Sequence, residues 1–222
     1  DKLPGRIRQM RFRHQPADFM FSTVYPFGLP HLEDNQIYFP YYMEDRSDRS
    51  DGAVVFFGDT YDIKHIDRLR FFKRLNGLIE RIRNRHQGRR LIYKPHPQET
   101  AETTALLNLD GFEVERSLSG EVLMMQESNL STAYTVTSAA CLSAAFFNVK
   151  SFFLYHLFDD EIVPASIKAY YDHFLRADLH KERFLRSEAD WMTGLCDYEC
   201  EDFSCDVRNS TLKMLKKTGI VV

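Results

Sequence analysis

From Ala53 onward the chain alternates short apolar runs with amphipathic stretches. Ala53 to Phe57 (AVVFF) is continuously apolar, as expected of a strand covered on both faces. After Gly58-Asp59-Thr60, apolar positions at Ile66, Leu69, Phe72, Leu75, Ile79 and Ile82 recur every three or four residues and predict a helix with one buried stripe. Arg81, Arg83, Arg85 and His86 fall in its last turns, where cations complement the helix dipole, and Gly88 stops it. The pattern then repeats. Strands are predicted over Arg90–Tyr93, Phe112–Glu115, Ala133–Val136 and Lys150–Phe158. Helices are predicted from about Gln98 to Leu107, through Val122–Gln126 with Ser119 as N-cap, over Ala139–Phe147 and from about Pro164 to Arg176. Strand alternating with helix, five times over, predicts an α/β fold: a Rossmann-like parallel sheet flanked by helices, with right-handed crossovers.

The ends lack this rhythm. Residues 1–52 carry two aromatic, strand-like segments, Phe19–Tyr25 and Gln36–Tyr42, then a polar loop, Glu44–Gly52. They read as a linker or the remnant of an amino-terminal domain, or as packing against the sheet. Residues 53–180 form the expected sheet domain, and 181–222 a helical, irregular tail.

Composition narrows the function classes. The 222 residues carry a net charge of −3, with 44% hydrophobic and 14% aromatic side chains, which describes a globular chain and not a nucleic-acid coat. The Arg81–His86 run has no interleaved aromatic platform, so it reads as a solvated helix end and no nucleic-acid partner is expected. The apolar run Ala139–Phe147 is too short to span a membrane, and no signal-peptide pattern follows the first residues. The chain opens without Met, so an amino-terminal portion is expected to precede it. Cys196, Cys200 and Cys205 cluster, but neither their number nor their spacing matches a structural zinc site, and with Cys141 they read as reduced thiols.

Candidate chemistry gathers at strand ends. In Leu91-Ile92-Tyr93-Lys94-Pro95-His96-Pro97, the two prolines hold Lys94 and His96 extended where a strand stops. A cation and a titratable imidazole at the carboxyl end of a parallel strand suit an anionic ligand such as a phosphate. An ordinary strand-to-helix turn with a surface histidine has the same pattern. Gly58-Asp59-Thr60 and Thr137-Ser138 should converge on the same sheet edge. The hydroxyls of Thr137 and Ser138, with the first amides of the following helix, make an expected anion site, although a Ser that only caps its helix has the same geometry. Ser119 and Gly120 open another helix there, in reach of a base or ribose. No GxGxxG, P-loop or GxSxG motif is present, which argues against dinucleotide, ATP and serine-hydrolase readings.

YKPHPQE, followed about forty residues later by TVTSAACLSAAFFNVKSFFLYHLF, resembles the HP and serine motifs of bacterial sialyltransferases. The likeness is nearest to the lipooligosaccharide sialyltransferases, then to the bacterial polysialyltransferases, and spans roughly Ala53–Phe158. It implies the carboxyl-terminal, nucleotide-binding half of a GT-B enzyme that takes CMP-sialic acid without a metal or other cofactor. His96 would then contact the CMP phosphate and act as general acid. Gly58, Lys94, Pro97, Ser119, Gly120, Thr137 and Ser138 would complete the donor site, and a glycan would be the acceptor. The implied location is cytoplasmic, at the inner face of the membrane; peripheral association through the acceptor and a homodimer stay open. Many members of the family have paired hydroxyl residues where this chain has Thr137-Ser138-Ala139. The family's acidic motif for the general base has no clear counterpart, and Asp59 is the candidate. Another nucleotide-sugar transferase, a UDP-sugar epimerase-like protein and a non-catalytic nucleotide-binding module are the alternatives.

Overall fold

The computed structural model describes residues 21–23, 36–38, 51–61, 67–147, 149–175, 177 and 181–193. The chain divides into two compact units, one of residues 1–42 with 202–222 and the other of residues 43–201. In the first, β1 (Phe21–Thr23) pairs in parallel with β2 (Gln36–Tyr38), inside the two segments expected to be strand-like.

The second unit holds the regular α/β pattern. Its elements in chain order are β3 (Ala53–Phe57), α1 (Arg68–Arg85), β4 (Leu91–Lys94), α2 (Ala101–Thr104), β5 (Phe112–Val114), α3 (Gly120–Gln126), β6 (Leu130–Thr135), α4 (Ala140–Ser143), β7 (Lys150–Phe153), α5 (Ala165–Leu175) and α6 (Glu188–Thr193). The five strands form one all-parallel sheet in the order β5-β4-β3-β6-β7. The fold is α/β and Rossmann-like, as the alternation predicts. β3 lies at the centre, and all five of its residues are buried, which is why AVVFF has no polar position.

Helix α1 begins where the Asp67 side chain accepts from the Arg70 amide at 3.1 Å. Its buried stripe is Phe71, Phe72, Leu75, Leu78, Ile79 and Ile82. Each such side chain contributes about 1.5–3 kcal/mol on burial. Leu69, expected in that stripe, is 82% exposed, because Phe71 and Leu78 set the buried direction and Leu69 lies well off it in the first turn.

Several boundaries differ from expectation: β6 starts three residues earlier, at Leu130, and ends at Thr135, α2 is confined to Ala101–Thr104, and the run Ala139–Phe147 is α-helical over Ala140–Ser143 and 3-10 after it. β7 stops at Phe153; the Leu154 amide makes one more bond to the Thr135 carbonyl, and the chain then turns through the 3-10 segment Tyr155–Leu157. The apolar run continues to Phe158 because that turn is itself buried. Residues 181–193 are not a separate tail. Phe184 bridges to Phe153 with stacked rings 4.8 Å apart, and Trp191 stacks on Tyr134 at 5.8 Å. Among the described residues no helix is long and apolar enough to cross a membrane. Cys141 is a buried free thiol, and Cys196, Cys200 and Cys205 lie outside the described residues.

Candidate functional site

Counted from β3, the strand order is 3-2-1-4-5, so the direction of winding reverses between β3 and β6. In such sheets the ligand crevice lies outside the carboxyl ends of the strands that flank this switch point. Gly58, Asp59 and Thr60 leave β3 there, and Val136, Thr137 and Ser138 leave β6.

Asp59 ties the two sides together. Its Oδ2 accepts from the Thr137 amide at 3.0 Å and from the Thr137 hydroxyl, while Oδ1 accepts from the Thr60 amide at 2.9 Å. Burial raises its pKa; the hydrogen bonds from Thr137 and Thr60 and the nearby His96 pull the other way without cancelling the rise. The carboxylate expected to act as base therefore has both oxygens engaged. The Thr137 amide and hydroxyl expected to meet a phosphate are spent on Asp59. The Ser138 amide donates to Thr135 Oγ1 at 3.0 Å, and Ser138 Oγ accepts from the Ala140 amide at 3.4 Å, which leaves the Ser138 hydroxyl hydrogen for a ligand. Protein groups thus satisfy much of what the sequence offered as an open anion site.

His96 stands beside Asp59 at the end of β4, half-buried. Its Nδ1 accepts from the Gln98 amide at 3.2 Å, so the neutral ring carries its proton on Nε2. Pro95 is buried and Pro97 exposed, so the turn is anchored at its first proline and open at its second. Beneath it lies Glu99, which the sequence placed in the first turn of a helix. It precedes the N-cap Thr100 and is turned inward, 8% exposed. Tyr93 Oη donates to both Glu99 oxygens at 2.8 and 2.7 Å, the Thr104 hydroxyl to Oε1 at 2.6 Å, and the His96 amide to Oε2 at 3.3 Å. Burial lifts the Tyr93 and Tyr61 phenols well above the ordinary tyrosine value, so both remain hydrogen-bond donors. Tyr61, two residues after Asp59, takes φ 50°, a left-handed conformation costly for a bulky residue.

Gly58 fits only without a side chain. A Cβ there would lie 2.4 Å from Glu99 Oε2, 2.6 Å from Tyr93 Oη and 3.1 Å from the His96 amide. Gly120 is a second close approach: a Cβ would lie 3.2 Å from the Phe57 ring and 3.4 Å from Ala140 Cβ. Ser119 Oγ accepts from the Val122 amide at 3.2 Å, so that hydroxyl caps α3. Lys94 points away from Tyr93, since successive strand residues face opposite sides. Its ammonium donates to the Pro95 carbonyl at 3.0 Å, and burial lowers its pKa, partly offset by Glu115.

The structure thus brings Gly58, Asp59, His96, Thr137 and Ser138 to the switch-point edge, sets Ser119 and Gly120 at the start of α3, and holds the Lys94 ammonium on the Pro95 carbonyl. It adds Glu99, Tyr93 and Tyr171, whose phenol burial raises, with the Asp59 charge adding to the rise. Tyr171 comes from α5, more than a hundred residues after Asp59, and no local pattern signals it. Among the described residues no three His, Cys, Asp or Glu side chains converge as a metal site. No protein-family profile matches the chain, and no curated protein matches it.

Proposed function

We propose that the switch-point crevice is the donor site of a metal-independent, inverting, sialyltransferase-like glycosyltransferase that takes a CMP-activated sugar and a glycan acceptor. The observation that carries this reading is His96 just past the carboxyl end of β4: its Nδ1 accepts from the Gln98 amide, so the neutral ring presents its N–H at Nε2. With the ring neutral, Nε2–H donates a hydrogen bond to the donor phosphate. That hydrogen bond strengthens as negative charge builds on the departing phosphate oxygen. The Ser138 hydroxyl is the second phosphate contact. Asp59 fixes the crevice by holding Thr137, and the buried Glu99 fixes the His96 backbone from below. The KPHP and Thr-Ser-Ala resemblance supports CMP over other nucleotides.

A nucleotide-binding module without chemistry is the second reading, favoured by the engagement of both Asp59 oxygens. Incubation with CMP-sialic acid separates the two. The transferase releases free CMP, and His96→Ala lowers that release by at least ~100-fold, the scale of losing one donor to a developing negative charge. A module binds CMP and releases none from the donor.

A further inference from the structure

Helix α5 carries a row of aromatic side chains that starts at the crevice and runs out into solvent. Its inner member is Tyr171. The Leu154 amide adds one more rung to β7, on the Thr135 carbonyl at 2.9 Å, so Tyr155 leaves that strand beside the segment that carries Thr137. Tyr155 Oη donates to Asp172 of α5, and His156 Nε2 meets the same carboxylate oxygen at 2.7 Å, which fastens the helix to this strand end. The Tyr171 ring packs 5.6 Å from the Tyr155 ring and is half-buried, within the field of the Asp59 charge. Tyr171 therefore stands on the β6 side of the switch point, the side that carries Ser138.

The next two members lie outside. Tyr170 meets Tyr171 edge-on at 5.5 Å. Phe174, one turn further on, lies 6.2 Å from Tyr170 with the two ring planes within 7° of parallel. Tyr170 is 62% exposed and Phe174 56%. An aromatic pair four residues apart adds little to its helix, less than the burial the two rings forgo. The charged neighbours on α5 are already paired: Lys168 with Asp160 and the Phe158 carbonyl, Asp172 with Tyr155 and His156. The surface is flat, apolar and edged by phenol hydroxyls. It matches one face of an uncharged sugar, whose C–H groups lie against the rings while its hydroxyls bond the rim.

We propose that Tyr171, Tyr170 and Phe174 form the acceptor subsite, and that it takes the neutral sugar rings of a glycan. This rests on the donor reading above. Tyr171 receives the sugar that carries the reacting hydroxyl, and Tyr170 with Phe174 hold the next sugar of the same chain. Continuity places the occupant: the row begins on the Ser138 side of the crevice and ends in solvent, as a chain of sugars entering the crevice requires. A second copy of this protein would need only the exposed pair and would leave Tyr171 unused. The three residues bind and orient; none of them takes or gives a proton.

The test uses the full chain, with lactose, maltose and cellobiose as neutral probes and CMP as the donor probe. At millimolar concentration at least one disaccharide should shift the aromatic ¹³C–¹H signals of Tyr170, Tyr171 and Phe174. The double variant Tyr170→Ser with Phe174→Ser should weaken that disaccharide at least ~fivefold and leave CMP affinity within about twofold. Disaccharides that leave the three rings unshifted, or that bind the double variant as tightly as the wild type, overturn the proposal. So does a wild type that self-associates in sedimentation while the double variant stays monomeric, since the row is then a contact between copies. In each of these cases CMP binding that His96→Ala weakens leaves the donor site standing. Absence of CMP binding by the wild type sinks the donor reading itself, and the acceptor role with it.

Discussion

Asp59 and Thr137, 78 residues apart, meet across the switch point: the carboxylate accepts both the amide, at 3.0 Å, and the hydroxyl of Thr137. The contact ties together the segments that leave β3 and β6 on either side of the switch point. A hydrogen bond to a charged group contributes about 1.5–3 kcal/mol, and a buried group left without its partner costs about as much.

The clamp should therefore be cooperative. Asp59→Ala should lower stability by about 2–3 kcal/mol and Thr137→Val by about 1–2 kcal/mol. Because each loss removes the partner's reason for burial, the double variant should lose at least ~0.5 kcal/mol less than the sum. Urea denaturation of the three variants measures this. Strict additivity would mean that the contact is incidental.

Gly58→Ala should do more harm than an added methyl usually does. The new Cβ would sit within 2.4 Å of Glu99 Oε2 and 2.6 Å of Tyr93 Oη, two buried groups that hydrogen-bond each other and cannot both retreat. A loss of about 1–3 kcal/mol is expected, together with weaker nucleotide binding, because Glu99 also holds the His96 amide. Thermal unfolding and calorimetry of the variant read both effects; unchanged binding would separate the Glu99 network from the site.

His86 gives the fold a pH dependence on the acid side. It is buried against α1 and the sheet, with Nε2 3.0 Å from Tyr134 Oη, and burial, with Arg89 and Arg85 adding, lowers its pKa to about 4. The folded value is depressed, so the unfolded chain takes up the proton first, near pH 6.5. The stability present above that pH is lost progressively between about 6.5 and 4. The loss amounts to at most ~3 kcal/mol. His86→Gln, which keeps a polar partner for Tyr134 without titrating, should remove this component from denaturation curves taken across that window. Parallel curves for the two proteins would count against it.

The sequence made the layers legible and left the connections hidden. AVVFF and LIY could be read as strands because burial on both faces removes every polar position, and that depends only on neighbours in sequence. Strand order, and with it the switch point between β3 and β6, depends on which strands pair after long crossovers, which no local pattern records. KPHP pointed to His96 because two prolines stiffen a strand end, but it could not show that Gln98 would fix the ring's tautomer. Glu99 looked like an ordinary first-turn acid, since its partner Tyr93 lies in the preceding strand and reaches it only after the chain reverses. His156 was hidden inside an apolar run that read as strand to Phe158, and its partner Asp172 lies on a helix whose docking is tertiary.

The central claim is that a CMP phosphate sits at His96, and calorimetric titration of CMP, CDP and UDP into the wild type and into His96→Ala tests it most directly. The account predicts that CMP binds in preference to UDP, and that the substitution weakens CMP at least tenfold, about 1.4 kcal/mol. Equal affinity in the two proteins, or a preference for UDP, would contradict it.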